Sequence, residues 1–282
     1  MNVHDWLQRA VAELQAAKIT TARLDATVLL ADITQHDRGY VLAHPELKLT
    51  AGQTDQLEKL LKARLGHVPL SYLRGKAEFY GREFIVGPGV LVPRPETEAM
   101  IDVLKELIAS LDTQNVLPPN GQAWRMADVG TGSGAIGITA ALELPLSHVT
   151  LLEIDEAALT IAKANVISLS TSTLTVQSDL LGNAPHAFDI LLCNLPYVPD
   201  DYAINTAATH EPKIAIFGGP DGLNLYRKLF SQITIFIEKP LYILTESLPV
   251  SHAQLDQIAT EASYQVQQTA DFIQVFRRQT NP

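Results

Sequence analysis

The chain has 282 residues, of which 46% are hydrophobic and 18% are charged, so it can form one large or two ordinary domains. Its single cysteine, Cys193, excludes an internal disulfide framework and fits a reducing compartment. No apolar run is long enough to cross a bilayer, and the first residues lack the basic and apolar segments of a signal peptide. We therefore expect a cytoplasmic protein that is not associated with a membrane.

The formal net charge of −10 is unevenly distributed along the chain. Residues 1–80 carry 10 Lys and Arg against 9 Asp and Glu, whereas residues 81–282 carry 11 against 22. An acidic larger part disfavours the wrapping of naked nucleic acid, because such binding needs Lys and Arg to displace counterions. The charge balance is compatible with a protein partner or a cationic ligand, and it is equally compatible with a role in solubility alone.

The first part of the chain predicts helices only. Apolar residues recur every three or four positions in residues 3–14, 21–33 and about 51–65, and no alternating strand pattern interrupts them. We expect a small helical bundle as a domain over residues 1–73. Its pattern alone does not separate a partner-docking role from a purely stabilising one.

Residues 69–75 contain Pro69 and Gly75 and are expected to break the helical pattern. Aromatic and β-branched residues then alternate around glycines, which predicts a β-hairpin linker over residues 74–93. Glu96 and Glu98 precede a predicted helix at 99–111. Acidic residues favour a helix N-terminus, so capping is as good an interpretation of these carboxylates as ligand binding.

Strand patterns alternate with helical patterns from residue 126 onward. Strands are predicted at 126–129, 149–152, 174–177, 188–193 and 241–245, helices at 135–144 and 156–168, and a terminal antiparallel pair at 264–269 and 272–276. Parallel strands joined through helices form doubly wound sheets. The sequence therefore predicts an α/β fold for residues 94–282, with a seven-stranded, mostly parallel sheet.

A glycine-rich turn follows the first predicted strand of this sheet. Gly130, Gly132 and Gly134 alternate with Thr131 and Ser133, and this glycine loop (residues 130–134) opens the next helix. Such a loop lets the backbone approach a ligand closely. Residues 132–137 also match the G-x-G-x-x-G pattern of dinucleotide-binding proteins, which is a weak signal by itself.

Three acidic residues stand near the ends of these strands. Asp128 precedes the glycine loop, where a carboxylate could meet a ligand's ammonium group. Glu153 ends the second strand, where an acidic side chain can bind a ribose diol. Asp179 follows the third strand and is interpreted equally well as a turn carboxylate or as an adenine contact.

The fourth strand ends at a tetrapeptide, Asn194-Leu195-Pro196-Tyr197. The side-chain oxygen of Asn194 and the carbonyl of Leu195 are acceptors, Pro196 stiffens the backbone, and Tyr197 offers an aromatic face. Two convergent acceptors beside a ring suit a planar NH2 group, which favours group transfer to an amine over hydride transfer. By itself, the tetrapeptide also fits a strand followed by a structural proline turn.

At this point the chain resembles the peptide chain release factor N5-glutamine methyltransferases, a family of class I S-adenosylmethionine-dependent enzymes. The motifs that carry the resemblance occur in the family's order at residues 22–26, 78–81, 91–98, 128–134, 178–179, 194–197, 211–212, 219–223 and 226–227. The most specific of them is Pro-Arg-Pro-Glu-Thr-Glu at residues 93–98, while the tetrapeptide is shared with adenine and cytosine amino-methyltransferases.

The resemblance implies S-adenosylmethionine as the cofactor and the Gly-Gly-Gln loop of a class I release factor as the substrate. It places Gly130, Thr131, Gly132, Ser133, Gly134, Glu153, Leu180 and Asn194 around the cofactor, and the residue arguments add Asp128 and Asp179. It implies that Asn194, Leu195, Pro196 and Tyr197 bind the glutamine amide and promote its methylation. We expect no metal site, no direct need for nucleic acid, and a monomer.

The chain departs from the family pattern at three places, one of which is the segment at Glu246, where Glu-Ser replaces the more usual Glu-Gly. Leu195 stands where the family usually has a proline, which removes some rigidity but keeps the carbonyl acceptor. Leu180 stands where relatives often have an aromatic residue that stacks on adenine. Asn-Leu-Pro-Tyr is also typical of rRNA adenine dimethyltransferases, so an adenine N6-methyltransferase is the first alternative. A non-catalytic module and an NAD dehydrogenase are further alternatives.

Overall fold

The computed structural model describes residues 1–119 and 121–279. The chain divides into two compact units, which are Met1–Lys76 with Ile204–His210, and Ala77–Ala203 with Glu211–Pro282. Within the described ranges, no helix combines the length and the apolar character that crossing a bilayer requires.

The first unit contains five helices. Their bounds are α1 Val3–Ala16, α2 Ala22–Thr34, α3 Arg38–Ala43, α4 Ala51–Leu65 and α5 Leu70–Arg74. Side chains cap the starts of the longer ones: Asn2 Oδ1 accepts from the Asp5 N–H at 2.8 Å, and Thr50 and Gln53 form a reciprocal capping box at the start of α4. Trp6 and Leu57 are fully buried in the core of this first unit. The helices that the periodicity predicts are therefore present.

The expected break at residues 69–75 is wrong, because α5 lies there. Pro69 stands just before the helix, where its missing N–H costs no hydrogen bond, and Gly75 ends the helix in the left-handed region at φ 72°. Pro69 and Gly75 are thus the two boundaries of a short helix and not a break in the helical pattern.

A hairpin at the start of the second unit, whose first residue is still assigned to the first unit, is shorter than the predicted one. Its strands are β1 Lys76–Phe79 and β2 Arg82–Ile85. Tyr80 and Gly81 form the turn, both with positive φ (51° and 69°), which suits a tight two-residue hairpin. Residues 86–94 contain no strand, since their glycines and prolines do not sustain a ladder of hydrogen bonds.

The main sheet has seven strands, as predicted. They are β3 Trp124–Val129, β4 Ser147–Glu153, β5 Leu174–Gln177, β6 Ile190–Cys193, β7 Tyr242–Glu246, β8 Tyr264–Ala270 and β9 Ile273–Arg278. Their spatial order is β5-β4-β3-β6-β7-β9-β8. The pairs among β3 to β7 are parallel, and β9 runs antiparallel to both of its neighbours. This is the doubly wound, mostly parallel arrangement that the sequence predicts.

Helices cover both faces of this sheet. They are α6 Glu98–Thr113, α7 Ala135–Glu143, α8 Glu156–Ser168, α9 Asn224–Thr234 and α10 His252–Glu261. Helices α6, α7 and α8 contribute buried side chains to one core cluster, whereas α9 and α10 contribute to the other. Helices α9 and α10 are absent from the sequence prediction. In α9 the signal is present, since Tyr226, Leu229, Phe230 and Ile233 follow helical spacing and are buried.

The order of the strands reverses between β3 and β6, and this switch point positions the site. Asp128 pairs with Leu192 in the parallel register of β3 and β6. The next residues along these strands bring the glycine loop and the tetrapeptide to adjacent carboxyl ends. Ligands of open α/β sheets bind at such a switch point.

A buried amide attaches the hairpin and the glycine loop to α8. Asn165, in α8, is completely buried, and its Oδ1 accepts from the Ile85 N–H at 2.7 Å. Its Nδ2 donates to the carbonyls of Ile85 at 2.9 Å and of Ser133 at 2.8 Å. One side chain therefore satisfies three backbone groups from two separate segments.

We predict that Asn165→Ala lowers the free energy of unfolding by about 3 kcal/mol, because it leaves buried backbone groups without partners. Urea unfolding followed by circular dichroism measures the loss. Asn183→Ala is the control, since Asn183 is exposed and its side chain makes one hydrogen bond, to the carbonyl of Gln177. Similar losses in the two variants would contradict the structural role of Asn165.

Candidate active site

The glycine loop leaves β3 in a conformation that glycine alone adopts without strain. Gly130, Gly132 and Gly134 have φ values of 71°, 56° and 85°. The N–H groups of Gly130 and Thr131 donate to the carbonyl of Leu152, at 2.8 and 3.0 Å, which fixes the start of the loop. A Cβ built on Gly132 would meet no atom within 4 Å. The loop is thus held by the backbone of β4 and leaves open space above Gly132.

Asp128 lies beneath the loop, where it binds the loop's own groups. It is buried, and its Oδ2 accepts from the Thr131 hydroxyl at 2.5 Å and from the Gly137 N–H at 2.8 Å. Its other oxygen, Oδ1, is buried and has no hydrogen-bond partner among the described residues. Burial raises the pKa of Asp128 to about 6, and these two hydrogen bonds only partly offset that effect.

Glu153 closes β4 and binds the backbone on both sides of the site. Its Oε2 accepts from the Gly132 N–H at 2.8 Å, and its Oε1 accepts from the N–H groups of Ile154 and Asp155, at 2.9 and 3.1 Å. A carboxylate has about four acceptor positions. Backbone N–H groups occupy three of these acceptor positions, so one position on Oε2 remains free to accept from a ligand hydroxyl.

The tetrapeptide leaves β6 with its side chains held by a buried polar cluster. Asn194 Nδ2 donates to the hydroxyl oxygen of Thr97 at 3.1 Å. The Tyr197 hydroxyl donates to Glu246 Oε1 at 3.0 Å. Burial, and next the charge of Glu246, raises the pKa of the Tyr197 phenol, so Tyr197 stays protonated as a donor.

Tyr226, in α9, fixes the backbone beneath the tetrapeptide. Its hydroxyl is fully buried, 2.5 Å from the carbonyl oxygen of Glu246 and 3.0 Å from that of Cys193. The Leu195 N–H donates weakly to the same hydroxyl, at 3.4 Å. One phenol therefore ties the end of β6 to the end of β7.

Two glycines allow a second segment to pack against the tetrapeptide. A Cβ on Gly218 would clash with the carbonyl oxygen of Pro196, and a Cβ on Gly222 would clash with that of Tyr197. The Gly218 N–H also donates to the carbonyl of Val198 at 2.9 Å. Gly222, which belongs to the motif at residues 219–223 that has no role in the sequence analysis, therefore packs against the backbone of the tetrapeptide.

These elements surround a cavity of about 240 Å³. The predicted site residues that line it are Gly130, Thr131, Gly132, Ser133, Glu153, Asp179, Leu180, Asn194, Leu195 and Pro196. Asp128, Gly134 and Tyr197 are not among the lining residues: Asp128 supports the loop from below, and Tyr197 faces Glu246. The structure thus brings most of the predicted residues around one space.

The far wall of the cavity includes Asp179 and Leu180. The carboxylate of Asp179 pairs with Lys228, which also lines the cavity. Leu180 is buried and adopts a left-handed φ of 53°. Lys228 is a cavity residue that sequence reasoning missed, because it lies in the unpredicted helix α9.

The rim of the cavity is held by another buried carboxylate that sequence reasoning missed. Glu211 accepts from the Val92 N–H at 3.0 Å and from an Arg94 guanidinium nitrogen at 2.7 Å. Arg94, Pro93 and Ile214 line the cavity near this contact. In the sequence, Glu211 stands out only as part of the motif at residues 211–212, and that motif does not indicate what the side chain does.

Histidine and cysteine side chains near the site form no metal centre within the described ranges, where no group of three or more potential ligands lies together. Cys193 is buried inside β6, and burial raises the pKa of its thiol. His210 belongs to the first unit, where its Nε2 lies 2.8 Å from the Gly66 carbonyl.

We predict that Asp128 makes the stability of the ligand-free protein depend on pH. Its pKa of about 6 exceeds the ordinary 3.8, so the folded state holds the proton more tightly than the unfolded state does. Its contribution to the free energy of unfolding is therefore fully present below about pH 4 and falls by roughly 3 kcal/mol as the pH rises through 6. The difference in stability between the wild type and Asp128→Asn, from urea unfolding at pH 4 to 7, measures it. A difference in stability that stays constant from pH 4 to 7 would contradict the raised pKa of Asp128.

Comparison with known proteins identifies the family. Residues 5–75 match the model of the PrmC N-terminal domain, and residues 104–211 match that of the methyltransferase small domain. A release factor glutamine methyltransferase of Koribacter versatilis is 36% identical over 238 residues, which cover 83% of this chain and 81% of the relative. One of Moorella thermoacetica is 33% identical over 234 residues, covering 81% and 79%.

A solved structure supports the fold alone. The catalytic domain of hMettl16, in complex with MAT2A 3′UTR hairpin 6, aligns with a TM-score of 0.53 at 14% identity, covering 83% of this chain and 84% of that one. The family follows from the two family models and from the relatives that are at least 30% identical over most of the chain. The chain belongs to the release factor glutamine methyltransferase family.

Proposed function

We propose that this protein transfers a methyl group from S-adenosylmethionine to the side-chain amide nitrogen (N5) of the glutamine in the Gly-Gly-Gln loop of a class I release factor. Membership of the family supports this activity. The observation that carries it is the position of Asn194 and Leu195 on the same cavity as the glycine loop and Glu153. This arrangement supports a proposed amide-binding site next to a proposed cofactor-binding site.

The residues of the cavity fit S-adenosylmethionine. Gly132 has open space where a larger residue would project, and the remaining acceptor position of Glu153 suits a ribose hydroxyl. Asp179 and Leu180 would lie beside the adenine, although Leu180 cannot stack as an aromatic residue does. The cofactor supplies an electrophilic methyl group on a positively charged sulfur. Asp128 acts indirectly in this proposal, by holding the loop through Thr131 and Gly137.

The tetrapeptide supplies what the amide chemistry needs. An amide nitrogen is a poor nucleophile because its lone pair is delocalised into the carbonyl group. Hydrogen bonds from the NH2 group to Asn194 Oδ1 and to the Leu195 carbonyl would shift electron density onto that nitrogen as positive charge develops. Most of the acceleration then comes from positioning and fixed dipoles, and no general base is required before attack.

The same proposal assigns the remaining parts of the chain. Residues 1–73 form the domain that docks the release factor, residues 74–93 are the linker, and residues 94–282 carry the chemistry. The protein acts in the cytoplasm as a monomer and needs no nucleic acid, which agrees with the acidic balance of residues 81–282. Methylation of an adenine amino group remains the rival reaction, because the same two acceptors suit that NH2 group.

The experiment that tests the function is the transfer of labelled methyl from S-adenosylmethionine to a purified class I release factor. A factor whose Gly-Gly-Gln glutamine is changed to alanine and bare rRNA serve as parallel acceptors. We expect label on the intact factor only. Label on RNA with none on the intact factor would show that the tetrapeptide binds adenine and would overturn the proposal.

We predict that Asn194→Ala lowers kcat by about 100- to 1,000-fold, since it removes an acceptor that acts as charge develops on the amide. The dissociation constant for S-adenosylmethionine should change by less than about fivefold, because the glycine loop and Glu153 provide most cofactor contacts. Single-turnover transfer and calorimetric titration measure the two quantities. Equal losses in both would contradict the role of Asn194 in the reaction.

A further inference from the structure

The loop that follows β5 has an unusual backbone conformation where it lines the cavity. Leu180 is buried and has a φ of 53°, in the left-handed region that large side chains rarely adopt. Asp179 and Leu180 both line the cavity. A conformation of this kind persists only where the surrounding structure holds it, and such residues cluster at ligand sites. The contacts that hold Leu180 therefore bear on what the loop binds.

One side chain of α9 binds the loop on both sides of Leu180. Gln232 Nε2 donates to the carbonyl of Asp179 at 3.1 Å, and Gln232 Oε1 accepts from the N–H of Leu181 at 2.9 Å. These two backbone groups belong to the two peptide units that flank the Cα of Leu180. A single amide, with its donor and its acceptor both matched, thus fixes the peptide units whose rotation defines the conformation of Leu180.

Lys228 lies one turn before Gln232 on the same face of α9, and its ammonium group pairs with Oδ2 of Asp179. The two side chains of this pair are 46% and 48% exposed, so solvent screens the pair and it adds little to stability. Its consequence is the direction of the carboxylate. Oδ2 faces Lys228, whereas Oδ1 of Asp179 has no hydrogen-bond partner within the described part of the chain.

The groups that this arrangement leaves available match the edge of adenine. Asp179 Oδ1 is an acceptor, and the N–H of Leu180 is a donor without an acceptor among the described residues. Adenine presents the complement, an amino group beside a ring nitrogen that accepts. Because the peptide unit is planar, the bond from Gln232 to the Asp179 carbonyl also fixes the direction of the Leu180 N–H, which points away from Gln232.

We propose that Gln232 is a positioning residue for the cofactor, which holds the adenine-binding groups of Asp179 and Leu180 in place from α9, and that Lys228 assists by orienting the Asp179 carboxylate. The inference rests on the proposed function, which places adenine beside this loop. Leu180 cannot stack on a base as an aromatic residue does, so recognition of the adenine edge carries more of the selectivity. Gln232 does not line the cavity and acts only through the loop. A loop that is ordered before the ligand binds increases affinity.

The test compares the binding of S-adenosylhomocysteine with that of S-inosylhomocysteine, in which an oxo group replaces the adenine amino group and the ring nitrogen becomes a donor. Calorimetric titration measures both dissociation constants for the wild type and for Gln232→Leu, which keeps most of the side-chain volume and removes both hydrogen bonds. The wild type should prefer the adenine ligand by at least about tenfold. In Gln232→Leu, the dissociation constant for S-adenosylhomocysteine should rise about tenfold, and that for the inosine ligand should change less than about threefold.

Further variants separate recognition from chemistry and from general effects. At saturating S-adenosylmethionine, the kcat of Gln232→Leu should stay within about threefold of wild type. Lys228→Met should reduce the preference for adenine by about threefold, as expected for an exposed pair. Gln257→Leu is the matched control, because Gln257 is exposed in α10 and its side chain donates to Glu261 of the same helix. It should leave both dissociation constants unchanged.

Equal losses of affinity for the two ligands in Gln232→Leu would indicate a general structural effect and would overturn the positioning role. Binding of S-adenosylhomocysteine within threefold of wild type would do the same, as would a wild type that does not distinguish the two ligands. If Gln232→Leu does not fold, Gln232→Glu decides by the same criteria, since it keeps the acceptor for Leu181 and loses the donor to Asp179. A wild type that binds neither ligand would instead overturn S-adenosylmethionine as the cofactor, and the proposed function with it.

Discussion

The parallel pairing of β3 with β6 is the constraint on which the site depends. Asp128 stands opposite Leu192 in that pairing, and each strand then continues into a loop that lines the same cavity. The glycine loop leaves open space above Gly132, and the tetrapeptide is proposed to supply acceptors for an amino group. A shift of one residue in this register would move Asn194 away from the glycine loop and turn the buried side chains of β6 to the opposite face.

Around this pairing, buried polar side chains hold the loops from behind. Asp128 and Glu153 bind the two sides of the glycine loop, Asn165 attaches it to the hairpin, and Glu211 holds the rim. Such groups lower the net stability that an apolar core would give, yet each one fixes a backbone segment that has no regular partner. The cavity is therefore shaped before any ligand binds, which suits catalysis by positioning.

Local patterns predicted the framework, and long-range contacts decided the details. Helix α8 and strand β5 have the bounds that periodicity predicts, 156–168 and 174–177, because apolar spacing and nearby turn residues determine them. The sequence predicts a break where α5 lies, because Pro69 and Gly75 indicate helix boundaries but do not indicate that the residues between them are helical. The contact between Asn194 and Thr97 joins residues 97 positions apart, and nothing in either local sequence indicates it.

The most instructive difference between sequence and structure concerns Asp128 and Tyr197. Both stand beside motifs and were expected to meet a ligand, but both are oriented toward buried partners of their own chain. Position along a strand end predicts which edge of the sheet a residue occupies. It does not predict whether a side chain faces the cavity or the layer beneath, since that choice depends on contacts with other segments, here with Gly137 in α7 and with Glu246 at the end of β7.

The most direct test of the central claim is a crystal structure of the protein with S-adenosylhomocysteine and the release factor. We predict that the NH2 group of the Gly-Gly-Gln glutamine lies within hydrogen-bond distance of both Asn194 Oδ1 and the Leu195 carbonyl, with the cofactor against the glycine loop. An amide bound elsewhere, or an Asn194 side chain that presents its NH2 group to the glutamine, would contradict it.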